Sequence, residues 1–309
     1  MESFWQKLNK PFTVLAPMDG VTDPSFRKII CQIGRPDVFF TEFANASAIV
    51  RNVKPETDKL KFCQIEHPIV AQIWGTNLAD LETSAQIVSG LGFDGIDINM
   101  GCPVKDVVKS GGGAGTIKIG RETVKQIVQA VKKGAGKLPV SVKTRLGFDK
   151  TDYDWIEFLL NLKLPAITIH GRTAKQMSRG LADWEEIKRV VELKNKINPE
   201  TIIIGNGDVE NLKRVGECHK NFGVDGVMIG RGILANPFLF NLKPQAITKE
   251  SGLKLALQHL KNSDKPFPVM KKYFKIYISC FTGAKEIRNQ LMAVDSAQEA
   301  ETILDRSAR

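Results

Sequence analysis

Along most of the chain, short apolar, β-branched runs alternate with longer stretches whose apolar positions recur at helical spacing. The short runs predict strands at residues 13–17, 38–42, 69–73, 95–99, 139–144, 166–170, 201–206 and 226–230. The stretches between them predict helices at 78–89, 122–133, 153–162, 184–196 and 209–219. Strand follows strand every ~25–30 residues, the size of a βα unit. Eight such units predict an α/β fold, a TIM (β/α)8 barrel. The rival is a doubly wound open sheet. It would place a Gly-x-Gly-x-x-Gly turn after the first strand, and Ala16-Pro17-Met18-Asp19-Gly20 is not one. Beyond Phe240 the strand signal stops. Pro244 closes a short linker, and patterns at 252–262, 268–281, 284–293 and 297–305 predict a small C-terminal all-α domain. The expected division is a catalytic barrel over 1–242 and a helical domain over 243–309.

In a barrel, side chains at the carboxyl ends of the strands converge on one mouth. Here those positions carry Met18, Gln72, Asn99, Cys102, Lys143, Arg145, His170, Arg172, Asn206, Asp208, Gly230 and Arg231. Cys102 lies between Gly101 and Pro103, on a stiff turn where its thiol can face a ligand. Gly207 and Gly230 follow the seventh and eighth strands, where a barrel cradles phosphate, and Arg231 adds a fork for its oxygens. One glycine turn alone would only redirect the chain; two at these strands point to a phosphate. Lys143 in a mouth needs an anionic or electron-rich partner, because an unpaired buried ammonium is costly. The N1–C2=O edge of a flavin, negative on reduction, fits it, and Gln72 can offer an amide to the pyrimidine edge. His170 by itself reads as a structural histidine. Followed by Gly171-Arg172-Thr173 and Gln176, it reads as part of a polar cluster over a ligand. The glycine-rich segment 109–116 is either a lid or a loose connection.

Composition adds three constraints. The chain has 309 residues, 42% of them hydrophobic, enough for one large domain and a smaller one. No run approaches the ~20 apolar residues of a membrane span, and residues 1–5 do not open a signal peptide, so a cytoplasmic protein without membrane attachment is expected. The five cysteines, Cys31, Cys63, Cys102, Cys218 and Cys280, are scattered without a Cys-x-x-Cys pair, so neither a metal site nor a disulfide framework is expected. Only Cys102 falls in loop chemistry. The net charge of +10 favours a polyanionic partner. Residues 241–309 hold 12 Lys and Arg against 7 Asp and Glu, half of that surplus. Lys271, Lys272 and Lys275 share one expected helix there, either as a solvated face or as contacts to a nucleic-acid backbone. No obligate protein partner is expected.

Six segments together carry a resemblance. They are Ala16-Pro17-Met18-Asp19-Gly20-Val21-Thr22-Asp23-Pro24-Ser25-Phe26-Arg27, Asn99-Met100-Gly101-Cys102-Pro103, Lys143-Thr144-Arg145, His170-Gly171-Arg172-Thr173, Asn206-Gly207-Asp208 and Gly230-Arg231-Gly232. In order and barrel position they resemble the dihydrouridine synthase family, flavoenzymes that reduce specific uridines in tRNA. Two features depart from the family pattern: Asp19, where a small residue is usual, and the glycine content of 109–116.

The resemblance implies FMN across the mouth, held by Ala16, Pro17, Met18, Gln72, Lys143, His170, Asn206, Gly207, Asp208, Gly230 and Arg231, with NADPH as reductant. It implies hydride transfer to C6 of a flipped-out uridine and protonation of C5 by Cys102. Asn99, Arg145, Arg172 and Gln176 are implied at the uracil or its nucleotide. Lys271, Lys272 and Lys275 are implied on the tRNA backbone, in a helix similar to the family's RNA-binding domain. Two other functions remain open on the residues: an FMN barrel dehydrogenase of a free pyrimidine or dihydroorotate-like molecule, and an inactive barrel that binds RNA.

Overall fold

The computed structural model describes residues 3–243 and 245–308; the linker residue Pro244, with Met1, Glu2 and Arg309, lies outside the described residues. Nine parallel strands form the sheet: β1 (Phe12–Leu15), β2 (Phe39–Phe40), β3 (Ala44–Asn45), β4 (Ile69–Trp74), β5 (Gly95–Met100), β6 (Val140–Arg145), β7 (Ala166–His170), β8 (Ile202–Asn206) and β9 (Gly226–Ile229). They pair in the order β1-β9-β8-β7-β6-β5-β4-β2, and a bridge from Val14 to Val38 joins β1 back to β2, which closes the barrel.

The second strand is divided where the sequence predicts one piece. Phe40 lies opposite Val70 and Ala44 opposite Ile73, so this strand carries one residue more than β4 between those pairs. The excess falls at 41–43, where the Glu42 carboxylate leaves the ladder and accepts the Gly20 N–H at 2.5 Å.

Alternation along the strands separates two cores. Leu15, Phe39, Ile69, Ile96, Ile98, Ile203, Val227 and Ile229 face the surrounding helices. Phe12, Val14, Phe40, Val70, Ala166, Ile202, Ile204 and Met228 form a second cluster with Trp5 inside the barrel. Gly226 sits opposite Phe12 and makes room for it: a Cβ there would lie 2.3 Å from the ring. On β4 to β8 the interior positions nearer the carboxyl ends turn polar, with Gln72, Asp97, Asn99, Ser141, Thr168 and Asn206 all buried. One side of the barrel is therefore packed with hydrocarbon and the other is a polar wall.

The expected helices are present, with ends set by their caps. Residues 209–219 shift to Leu212–Phe222, because the Asn211 side chain accepts the Arg214 N–H and Gly223 takes the left-handed conformation, φ 72°, at the far end. The helix Pro24–Ile33 is not among the expected ones, although Asp23 accepts the Phe26 N–H as its N-cap and Pro24 fills its first position. Four helices follow the barrel: Lys249–Asn262, Phe267–Tyr277, Ala284–Ala293 and Ala297–Ala308. The second stops short of the expected 281, and Cys280 beyond it has φ 62°. Among the described residues no helix is long and apolar enough to cross a membrane.

The helical domain meets the barrel through a buried polar cluster beside the Pro24–Ile33 helix. The Tyr273 hydroxyl donates to Asp23 Oδ2 at 2.7 Å, and its ring stacks on Phe26 at 5.8 Å. His259 Nδ1 lies 2.8 Å from the Tyr277 hydroxyl and its Nε2 lies 3.1 Å from Ser25 Oγ. Burial pulls His259 down to about 4, with Lys272 adding to the effect and Asp23 opposing it. The imidazole is therefore neutral in the fold, whereas an unfolded histidine titrates near ~6.5. Between those values the unfolded chain binds the extra proton, so stability falls as pH drops through this window, by up to about 3 kcal/mol. Melting curves at pH 7 and pH 5 are expected to show a smaller acid-induced drop in His259→Gln than in the wild type. An unchanged difference would remove His259 as the source.

Candidate active site

A cavity of about 780 Å³ opens at the carboxyl ends of the strands. All eleven residues expected on the cofactor line it, as do Cys102, Asn99, Arg145 and Arg172; Gln176 does not, although Met177 and Ser178 do. A volume in this range suits one cofactor-sized ligand.

The polar wall is a chain of hydrogen bonds that ends at Cys102. Asn99 Oδ1 accepts the N–H groups of Gly101 at 3.1 Å and Cys102 at 2.9 Å. Asn99 Nδ2 donates to Gln72 Oε1 at 2.9 Å, and Gln72 Nε2 donates to Asp97 Oδ2 at 2.7 Å. Ser141 Oγ donates to Asp97 Oδ1 at 2.6 Å. Asn99 and Gln72 therefore serve one another, and their free edges, not their whole amides, face the cavity. Burial pushes the Asp97 carboxyl up to about 6, against the opposing pull of Ser141, Gln72 and Lys143.

Lys143 stands directly opposite Asn99 across β5 and β6. Its depth in the cleft and the charge of Arg145 pull its ammonium down to about 8, while Asp97 and Cys102 favour the charged form. Among the described residues its Nζ has no hydrogen-bond partner. The Cys102 thiol is pushed up by burial and by Asp19, with the Val104 N–H, Arg145 and Lys143 pulling the other way. It is thus protonated at neutral pH.

Arg145, expected on substrate, lines the cavity and also braces two loops. Its Nε donates to the Gly101 carbonyl at 2.7 Å, and its NH1 donates to the carbonyls of Thr173 at 2.9 Å and Met177 at 2.8 Å. It ties the Cys102 turn to the loop after β7. Burial draws its guanidinium down to about 10. Gln176, also expected on substrate, uses its Oε1 to accept the Thr173 N–H at 2.7 Å and closes the same loop.

Arg172 is 2% exposed. Its NH2 donates to Asp208 Oδ2 and to the Gly180 carbonyl, both at 2.6 Å. Asp208 also accepts from Arg231 NH2 at 3.0 Å. Burial alone would raise the Asp208 pKa, but the Arg172 hydrogen bond, the Ala182 N–H and the two guanidinium charges hold it below the usual carboxylate range. Asp208 is thus a strut between two arginines, and as an anion it would repel a phosphate that approached it directly. The Arg172 Nε is buried with no partner among the described residues. His170 Nε2 accepts from Arg172 NH1 at 3.3 Å, which leaves the ring proton on Nδ1. Burial, then Lys143, Arg145, Arg172 and Arg231, drive its pKa far down, so the ring is neutral.

The loop after β1 is clamped from several sides. The Thr22 hydroxyl accepts the Met18 N–H at 2.9 Å, and Glu42 holds Gly20. Buried Arg27 donates to the Thr22 carbonyl at 2.8 Å and pairs with Glu66 at 2.5 Å. Lys272, expected on a tRNA backbone, donates to the Gly20 carbonyl. Lys271 likewise donates to the Met292 carbonyl at 3.0 Å. Lys275 is exposed. Asp19, the departure noted above, pairs with Lys59 at 2.9 Å.

The glycine-rich segment is neither lid nor loose connection. Gly113–Ile117 is a buried 3-10 turn, and Ala114 donates its N–H to the Cys102 carbonyl at 2.9 Å. Glycine allows this contact: Gly113 has φ 52°, and a Cβ there would lie 2.6 Å from the Cys102 carbonyl oxygen. Residues missed in the sequence are Asp97, Glu42 and Asp23. Period-two alternation in 95–100 marks Asp97 as a partner of Asn99 on the inner face, but nothing local marks the other two. Gly113→Ala is expected to cost about 1–3 kcal/mol by overpacking. Urea denaturation checks this, and a loss below 0.5 kcal/mol or so would mean the Cys102 turn yields freely.

A family model described as Dihydrouridine synthase (Dus) matches residues 14–309. A Staphylococcus aureus (strain N315) protein named "Probable tRNA-dihydrouridine synthase" is 42% identical over 316 residues, covering 98% of this chain and 95% of that protein. "Probable tRNA-dihydrouridine synthase 2" of Bacillus subtilis (strain 168) is 40% identical over 315 residues, covering 98% and 96%. Among solved structures, the old yellow enzyme homologue from Zymomonas mobilis superposes with TM-score 0.53 at 15% identity, over 77% of this chain and 90% of that one. A morphinone reductase mutant in complex with tetrahydroNAD gives TM-score 0.53 at 12% identity, over 74% and 85%. These two share the barrel fold. The sequence matches run through the cavity and on across the helical domain, and they make this chain a member of the dihydrouridine synthase family.

Proposed function

We propose that this protein reduces a uridine of tRNA to dihydrouridine in the cytoplasm, with bound FMN and with NADPH as reductant. The observation that carries this reading is a protonated thiol and an unpartnered ammonium on the wall of one cavity, Cys102 and Lys143.

The residues present suit FMN. Arg172 has a buried Nε without a partner, and Arg231 keeps most of its guanidinium exposed beside Gly230. With the loop at Asn206 and Gly207 they form a cationic cradle for a phosphate. Lys143 meets the need of a ring edge that gains negative charge, and Ala16, Pro17 and Met18 offer an apolar side to a ring. When bound, FMN supplies the hydride.

The chain's own residues do the rest. Cys102 holds a proton on Sγ, and its pushed-up pKa keeps that proton in place until a developing carbanion at C5 of the base takes it. Asn99 fixes the turn from which the thiol projects. His170, neutral and with its proton on Nδ1, donates without adding charge to an already cationic site. Flipping the base out of the tRNA costs a few kcal/mol, which backbone contacts must offset. Lys275 and the other exposed lysines of the helical domain are the source of those contacts.

Cys102→Ala is expected to keep its yellow colour and its reduction by NADPH, and to lose dihydrouridine formation by about 100-fold or more. Mass mapping of tRNA measures the product, with free uridine and uracil assayed beside it; wild-type turnover in the variant, or turnover of the free base, would sink the proposal. The second expectation concerns pH. The Lys143 ammonium is present below about 8 and lost as pH rises through that value. Stopped-flow bleaching of the flavin should therefore slow above pH 8 or so in the wild type, and Lys143→Arg, whose guanidinium stays charged, should lose this limb. Identical profiles would exclude Lys143 from the titration.

A further inference from the structure

We propose that Asp97 is a positioning residue, whose carboxylate fixes the sense of two buried amides, Gln72 and Asn99, and through them the turn that carries the Cys102 thiol. This rests on Cys102 as the proton donor of the proposed reaction.

An amide side chain is nearly symmetric in shape, so packing does not decide which end is oxygen. Hydrogen-bond partners decide it. At one end of this chain stand two backbone donors, the N–H groups of Gly101 and Cys102, and they require the Asn99 oxygen. Asn99 must then present its NH2 to Gln72, and Gln72 must present its own NH2 onward. The far end needs a group that only accepts. Asp97 is that group when ionised, and its second oxygen is occupied by Ser141. All five hydrogen bonds run the same way, towards Asp97.

An apolar residue in its place would leave a buried donor on Gln72 unsatisfied, which is costly. The chain relieves that cost if both amides turn over, but Asn99 would then aim its NH2 at the two backbone N–H groups and release the turn. The groups that face Asp97 are the donors Gln72 on β4 and Ser141 on β6, with Lys143 as the charged neighbour. Asp97 is 0% exposed and does not line the cavity, so it acts through the others and not on a ligand.

The test reads the thiol directly. Alkylation of Cys102 by iodoacetamide is followed by site-resolved mass spectrometry in the full chain stripped of flavin, with exposed Cys280 as internal reference. Asp97→Leu is expected to change the Cys102 rate by about tenfold relative to Cys280, the size of a coupled contact. Gln72→Met cuts the same chain at its middle and is expected to do the same. The double variant should be no worse than either single one, because both cut one path. Asp97→Asn should stay within about twofold of wild type, because its amide oxygen can still accept from Gln72 while its NH2 turns to the Ser141 oxygen.

Additive effects, or an unchanged rate in Asp97→Leu, would overturn the proposal and leave Asp97 a packing residue. If Asp97→Leu does not fold, Gln72→Met and Asp97→Asn still decide: an equal effect in both, or none in the first, overturns it. Turnover in Cys102→Ala would instead remove the thiol from the reaction while leaving the alkylation pattern intact, so the two failures are distinguishable.

Discussion

A carboxylate inside a barrel must have donors, and the satisfaction of Asp97 organises the catalytic side of this protein. Its two oxygens are filled from adjacent strands by Ser141 and Gln72. The demand then passes through Gln72 and Asn99 to the Cys102 turn. Hydrocarbon cannot replace this wall without leaving donors stranded. The barrel therefore splits into an apolar side around Phe12, Phe40 and Ile204 and a polar side that holds reactive groups in register.

Charged residues around the mouth serve largely as struts. Arg145 spans the turn at Gly101 and the loop at 173–177, Arg27 joins the loop after β1 to Lys61 and Glu66, and Asp208 bridges Arg172 and Arg231. A guanidinium suits this work because its planar fork meets several carbonyls at once. Burial above all, with the cationic surplus adding to it, depresses the pKa values of Lys143 and His170. Positioning and electrostatics are thus one arrangement: the groups that fix the loops also keep the imidazole neutral and bring the ammonium close to its titration range.

The helical domain reaches the mouth indirectly. Tyr273 holds Asp23 and the Val21 carbonyl, Lys272 holds the Gly20 carbonyl, and the loop so gripped places Met18 and Asp19 at the cavity. The helical domain can therefore set the position of the loop after β1. Tyr277, His259 and Ser25 complete the contact as a buried hydrogen-bonded line, and such a line is costly to open because each separated member would lose its partner.

The chain's periodicities determined the barrel, its eight strand positions, the helical appendix and the motifs at the strand ends, because burial in a parallel sheet imposes a pattern that local sequence records. They also brought the cofactor candidates to one mouth, since carboxyl ends converge by topology. What the sequence did not determine is how each polar side chain is spent. Arg145, Gln176, Lys271 and Lys272 read as ligand contacts, yet their hydrogen bonds go to carbonyls and N–H groups far away in sequence, or to a loop closure visible only in three dimensions. The glycines at 111–115 read as a lid or a loose connection, yet Gly113 is there because Cys102 lies against it. Hydrophobic periodicity is a local consequence of which face is buried; a hydrogen-bond partner is fixed only when the chain has closed on itself, so only the tertiary structure decided those roles.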